Sequence, residues 1–266
     1  MRRFLFMIRR FNYAFKTYFV PPVIELFKWL LFSKEITNYT YDLTITNERY
    51  LGHFIALVTN AKYQLIMEYI SEIDNDIKLK EHIQQNISAS KTAYIADLEI
   101  KYGRRVGWYA FVRATKPKVI VETGVDKGLG SCVLTAALMR NDQEGFKGFY
   151  YGIDINPESG YLLTGEYTKF GQILFGDSIS TLNSLNKNID IFINDSDHSA
   201  EYEEREYDTI SNKLNENAII LGDNSHATDK LLNFAEKSGR QFLFFKEEPL
   251  HHWYPGAGIG VAFRKL

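Results

Sequence analysis

The stretch Val119-Ile-Val-Glu-Thr-Gly-Val-Asp-Lys-Gly-Leu-Gly-Ser131 constrains this chain more than any other segment. A β-branched apolar run closes on Glu122, and glycines follow at 124, 128 and 130. That pattern predicts a buried parallel strand turning sharply into a helix, with glycines that let the backbone approach a ligand closely. Downstream, apolar runs at 118–123, 148–154, 172–176, 189–195, 217–222, 241–246 and 258–264 alternate with helical spacing, as at 129–140 and 201–215. The alternation predicts an α/β fold, a doubly wound and mostly parallel seven-stranded sheet with helices on both faces. The last two runs lack a helical connection, which suits an antiparallel hairpin at a sheet edge.

Ligands of open α/β sheets bind at the carboxyl ends of strands, and five of these runs end in acids. Glu122 closes the first. Asp154 closes Phe149-Tyr-Tyr-Gly-Ile-Asp154, where a carboxylate can accept from two ribose hydroxyls. Asp177, beside Ser178, either accepts from an exocyclic amine or caps the next helix. Asp195 lies in Ile193-Asn-Asp-Ser-Asp-His198, and Asp223 in Leu221-Gly-Asp-Asn-Ser-His226. A dinucleotide turn requires G-x-G-x-x-G, whereas this one spaces its glycines as Gly124-x-x-x-Gly128-x-Gly130, which disfavours NAD.

Glu122-x-Gly-x-x-x-Gly-x-Gly130 resembles the first motif of class I S-adenosylmethionine-dependent methyltransferases, whose fold is Rossmann-like. Gly107-Trp-Tyr, Val121-Glu-Thr-Gly, Phe192-Ile-Asn-Asp-Ser-Asp-His-Ser199 and His251-His-Trp-Tyr-Pro-Gly-Ala-Gly258 resemble a small-molecule O-methyltransferase subgroup that includes enzymes acting on sugars and natural products. The resemblance covers about 107–266. It implies that Glu122, Gly124, Gly128, Gly130, Asp154, Asp177 and Ser178 bind S-adenosyl-L-methionine, with Asp154 on the ribose and Asp177 at the adenine.

Methyl transfer to an alcohol needs an aligned nucleophile and a route for its proton. Asp195, Asp223 and Asn224 offer hard oxygen ligands for Mg²⁺, an Asp, Asp, Asn set like that of metal-dependent enzymes resembling catechol O-methyltransferase. The alternative is that Asp223 and Asn224 form a turn and Asp195 orders its loop. Asp197 and His198 are the candidate bases, with His226 and the pair His251-His252 behind them. Packing is the expected role of that pair. Glu201, Glu203, Glu204 and Glu206 read as the solvated face of a helix without a catalytic role. Three activities follow: a Mg²⁺-assisted O-methyltransferase acting on a small molecule, sugar or glycan; a metal-independent methyltransferase using Asp197 or His198; or a non-catalytic module that binds the cofactor.

Three segments are expected: residues 1–34, a helical cap at 35–106, and a cofactor-binding catalytic domain at 107–266. Within the cap, 39–46 alternates like a short edge strand, Ala61 to Asn86 reads as helix, and Thr92 to Tyr102 as a further helix. Residues 1–34 carry seven Lys/Arg against Glu25 alone, a local +6 that leaves −8 on the rest of a chain of net charge −2. An acidic body excludes a broad nucleic-acid surface, and the Asn/Asp-Pro-Pro-aromatic motif of amino methyltransferases acting on nucleic acids is absent. Phe4, Met7, Ile8, Phe11, Phe15, Tyr18 and Phe19 share one helical face, with Arg2, Arg3, Arg9, Arg10 and Lys16 opposite, and Pro21-Pro22 is expected to stop the pattern. No charge-free run is long enough to span a bilayer. The partner of residues 1–32 is either an anionic lipid surface, which places the enzyme peripherally at the inner membrane surface, or protein, namely the enzyme's own body or a second subunit in a homo-oligomer. Cys132, the single cysteine, fits the reducing cytoplasm and reads as a packing residue at a helix start.

Overall fold

The computed structural model describes residues 2–36 and 40–265. The strands are β1 (Val119–Thr123), β2 (Phe149–Asp154), β3 (Gly171–Phe175), β4 (Ile189–Asn194), β5 (Leu214–Gly222), β6 (Gln241–Phe245) and β7 (Ile259–Phe263). They form one seven-stranded sheet in the order β3-β2-β1-β4-β5-β7-β6. Strands β1 to β5 pair in parallel, while β7 runs antiparallel between β5 and β6. Each expected strand is present to within a few residues.

Side chains alternate between two cores, as the pleat requires. Ile120, Ile193, Leu221 and Val261 face one cluster, and Val121, Phe192, Ile220 and Ala262 face the other. The second is closed by α8 (Ser178–Ser184), α9 (Ala200–Ile210) and α10 (Lys230–Lys237), which contribute Leu182, Tyr207, Ile210, Leu231 and Phe234. The first is covered by α3 (Ile45–Thr59), α4 (Tyr63–Asp74), α5 (Ile77–Ala89), α6 (Arg105–Thr115) and α7 (Leu129–Gln143). Leu51, Ile55, Ile66, Ile83 and Trp108 thus share one core with the sheet.

Several local expectations are corrected. The helix expected over 61–86 is two, because Asp76 caps α5 by accepting from Leu79 N at 3.0 Å. The 39–46 strand reduces, among its described residues, to one bridge between Leu43 and Pro249; Thr44 then caps α3, accepting from Asn47 N at 3.2 Å. Thr92 to Tyr102 holds only a 3₁₀ turn at Ala93–Ile95. Its Asp97 instead receives Ser33 Oγ at 2.7 Å and the Lys34 amide at 2.9 Å, tying it to the N-terminal segment. The helix expected over 201–215 stops at Ile210, since β5 already starts at Leu214.

Pro21-Pro22 do not stop the N-terminal helix. The rod α1 (Arg2–Ala14) passes through a five-residue π segment, Phe15–Phe19, into α2 (Val20–Phe32). The prolines occupy the first turn of α2, where a missing N–H is tolerated, and the wider π turn absorbs the break in bonding before them.

Candidate active site

The carboxyl ends of β1 to β5 open into one cavity of about 1090 Å³, lined by the glycine turn, the strand-end acids and the loop after β4. Gly124 has φ +82°, and a Cβ there would overlap the Asp195 carbonyl. Gly128, with φ +98°, precedes the first turn of α7. A Cβ on Gly130 would stand 2.5 Å from Glu122 Oε1 and 2.9 Å from Trp108. The glycines therefore let the turn pack closely against the loop after β4 and against Glu122, while the start of α7 borders the cavity.

Glu122 is 2% exposed and accepts the Tyr150 hydroxyl, which also meets Ser131 Oγ at 2.8 Å. Burial pushes its carboxyl up to about 7, against the opposing pull of the Tyr150 hydrogen bond and Arg105. Asp154 ends β2 at the cavity. Its Oδ2 accepts from Val125 N and Asp126 N, each at 3.0 Å, and its Oδ1 from Asn156 N at 2.8 Å. It thus braces the glycine turn while lining the cavity. Asp177 caps α8, accepting from Ser180 N at 2.8 Å and from the Tyr202 hydroxyl at 2.7 Å, and these bonds hold its carboxyl below the usual range. Asp177 is thus a helix cap that also faces the cavity. Ser178 turns inward to Glu206 and Tyr202, leaving its side chain to the support of the site.

Strand register brings two further acids together. Thr123, Asn194 and Gly222 are neighbours across β1, β4 and β5, so the next residues of β4 and β5, Asp195 and Asp223, stand side by side. Their carboxyls face each other, with oxygens within 4.8 Å. Burial and the Asp223 charge drive Asp195 well above the carboxylate range. Asp223 is equally buried, but Arg104 beside it holds its carboxyl below the ordinary value. Ligand atoms of Asp195, His198 and Asp223 lie within 4.8 Å of one another. Asn224 donates its amide nitrogen to the His198 carbonyl at 3.0 Å and to Glu203, which leaves its carbonyl oxygen as the only group it can offer a cation. Asp197 is exposed and accepts from Ser199 N at 2.7 Å, which lowers its pKa and makes it a weak base. His226 is exposed against the Asp223 carbonyl, while His252 packs beside Tyr41 and accepts from Tyr254 N at 3.0 Å. Cys132 is buried, with its thiol on the Leu162 carbonyl at 3.3 Å and its pKa raised by burial, as suits a packing residue.

Two features escaped the sequence. Glu203 and Glu206 are fully buried, not solvated. Glu203 accepts from Tyr207, Thr228 and Asn224, and Glu206 accepts from Thr123, Ser178, Asn194 and Ser196. Glu201 alone keeps the expected exposure; Glu204 is half-buried and pairs with Lys230. The second feature is Arg104, which ion-pairs with Asp223 and, at 3.3 Å, with Glu247; its neighbour Arg105 reaches 4.0 Å from Asp195 and lies 5.3 Å from the Trp108 ring. The dipeptide Arg104-Arg105, one residue ahead of Gly107-Trp-Tyr, was the available signal: two adjacent cations entering a largely buried helix need acids.

Residues 121–225 match the family described as a methyltransferase domain. Among curated proteins none matches the chain. Of solved structures, the SAH-bound methyltransferase PaMTH1 of Podospora anserina is 17% identical with a TM-score of 0.50, covering 71% of this chain and 88% of that one. A methyltransferase of Geobacter sulfurreducens is 15% identical at TM-score 0.51, covering 73% and 96%. The O-methyltransferase TomG of Streptomyces achromogenes, involved in tomaymycin synthesis and solved with SAM, is 14% identical at 0.51, covering 70% and 90%. The matched stretch runs from β1 through β5, so the parallel part of this Rossmann-like sheet carries a methyltransferase domain.

Proposed function

We propose that this methyltransferase acts on a hydroxyl oxygen of a small molecule, sugar or glycan. The observation that carries the reading is the Asp195–Asp223 pair faced by His198, across one cavity from the glycine turn. The residues fit S-adenosylmethionine: Gly124 and Gly130 let the turn pack tightly against Asp195 and Glu122 at the cavity wall, and Asp154 and Asp177 present carboxylates for ribose hydroxyls and an exocyclic amine. The cofactor supplies an electrophilic methyl group on a sulfonium. The chain's task is to hold the acceptor in line and remove its proton as the oxygen bonds to the methyl carbon and the carbon–sulfur bond breaks. His198 is the better base, since its neighbour Asp197 is tied to Ser199 N.

The oxygen donors of Asp195, Asp223 and the Asn224 carbonyl fit Mg²⁺ in kind, with His198 left beside them as the base. A cation there lowers the pKa of an acceptor hydroxyl. Arg104 already places a positive charge on Asp223, and this favours a second reading in which no metal is needed. Calorimetry with S-adenosylhomocysteine tests the cofactor half, and methyl transfer from labelled S-adenosylmethionine to a panel of hydroxyl acceptors tests the rest. Binding by the wild type, loss of binding in Asp154→Ala, and turnover abolished by His198→Ala are expected. Tight cofactor binding with no turnover on any acceptor identifies a binding module instead, and full activity after exhaustive EDTA treatment selects the metal-independent reading.

A further inference from the structure

The rod of residues 2–32 covers about 45 Å at 1.5 Å per residue. Every residue from 3 to 19 is exposed. Phe4, Met7, Ile8, Phe11 and Phe15 form a ridge, with exposures of 61, 61, 41, 66 and 47%. The rings of Phe11, Phe15 and Phe19 stack along it at 5.7 and 6.0 Å. Arg3, Arg9 and Arg10 occupy the opposite side of the wheel. Beyond the prolines, α2 exposes Val23, Ile24, Phe27, Leu30 and Leu31. The π segment winds more slowly than an α-helix and turns this second stripe back toward the ridge by roughly a quarter turn.

A surface of this size must be covered by something. The described helices include none long and apolar enough to cross a membrane. We propose that residues 2–32 lie in the headgroup boundary of an anionic membrane, ridge inward, with the arginines on anionic headgroups. Charge supports that occupant, because the local +6 of residues 1–34 is matched to an anionic surface. So does composition: Phe6 and Tyr13 lie among the arginines, an arrangement suited to a broad interfacial layer, whereas a helix pair requires interdigitating aliphatic residues along a narrow seam. The rod is also braced to the body. Trp29 packs edge-on against Trp253 at 5.4 Å, and the next residue, Tyr254, lines the substrate cavity. The membrane helix therefore springs from the rim of the active site.

The test is co-sedimentation of the full chain with phosphatidylcholine vesicles, with and without phosphatidylglycerol, alongside sedimentation velocity without lipid. Binding is expected only with phosphatidylglycerol. Arg9→Gln/Arg10→Gln should weaken it about 30-fold, at roughly fivefold per arginine removed. Phe11→Ser/Phe15→Ser should abolish it, with unchanged thermal melts because both rings are exposed. A lipid-independent dimer that Phe11→Ser/Phe15→Ser dissolves, together with no vesicle binding, overturns the proposal in favour of a second copy. Equal binding to neutral vesicles overturns the role of the arginines.

Discussion

Arg104 forms a buried ion pair with Asp223, so the carboxylate that follows β5 faces a guanidinium of its own chain before it faces any ligand. Glu247, itself 1% exposed, shares the same arginine at 3.3 Å. The charge a metal would supply to this corner is thus partly in place. Arg104→Ala leaves two buried acids, Asp223 and Glu247, without their shared cation, at a cost of about 3–5 kcal/mol, the range for breaking one side of a buried pair. The same change frees Asp223 as a ligand. A lowered Tm together with tighter Mg²⁺ binding by calorimetry is the expected outcome. No Mg²⁺ heat in either protein removes the metal from the mechanism.

Glu122 predicts a pH dependence of stability. Its folded carboxyl is pushed up to about 7 from an ordinary 4.5, with burial as the main cause. Between those values the folded state holds a proton that the unfolded state has released, so stability is fullest below about 4.5 and falls as pH rises toward 7. The shift corresponds to about 3 kcal/mol at 1.36 kcal/mol per unit. Denaturant titrations at intervals across that window should show the decline, and Glu122→Gln should flatten it. A slope unchanged in the variant places the proton elsewhere.

The contrast between Glu122 and Glu206 shows what a sequence can and cannot carry. Glu122 is legible because its chemistry is local: a strand ends, glycines follow, and the acid stands where a ligand must come. The seven strands are legible for the same reason, each a short apolar run closed by an acid, a glycine or a polar loop. Glu206 sits in an acidic helix that reads as solvated, yet it collects donors from Thr123, Ser178, Asn194 and Ser196, which belong to three different strand ends. Nothing adjacent in sequence announces that convergence. Arg104 is hidden likewise, since its partners Asp223 and Glu247 lie more than a hundred residues away. The glycine-turn half of the site is built from one turn and its neighbours. The Asp195–Asp223 half depends on register across the sheet.

That convergence makes Glu206 a structural keystone beneath the site, and burial raises its pKa. Glu206→Ala orphans four donors near the ends of β1, β3 and β4, each left unsatisfied at about 1–3 kcal/mol. A severe loss of Tm or failure to fold is expected. Glu206→Gln keeps one acceptor oxygen and should retain the fold with intermediate stability and weakened cofactor affinity. Near-wild-type melting of the alanine variant would show that water replaces the carboxylate at no cost.

Gly124 is where the two halves of the site meet. Its φ of +82° already disfavours any side chain, and a Cβ would overlap the Asp195 carbonyl and stand 2.6 Å from Ser196 Cα. These obstacles are backbone, so they cannot rotate away as a side chain would. Gly124→Ala must push the loop after β4 off the glycine turn, displacing Asp195 from Asp223. Gly239 is the matched control: its φ is +65°, but nothing lies within 4 Å of a Cβ built there. Gly239→Ala should therefore lower stability only by the left-handed strain of about 1–2 kcal/mol, with S-adenosylhomocysteine binding intact. Gly124→Ala should lose more stability and also lose that binding, read by thermal melts and calorimetry on the same preparations. Equal effects of the two substitutions would reduce Gly124 to a matter of backbone conformation and sever the link between the cofactor turn and the acceptor carboxylates.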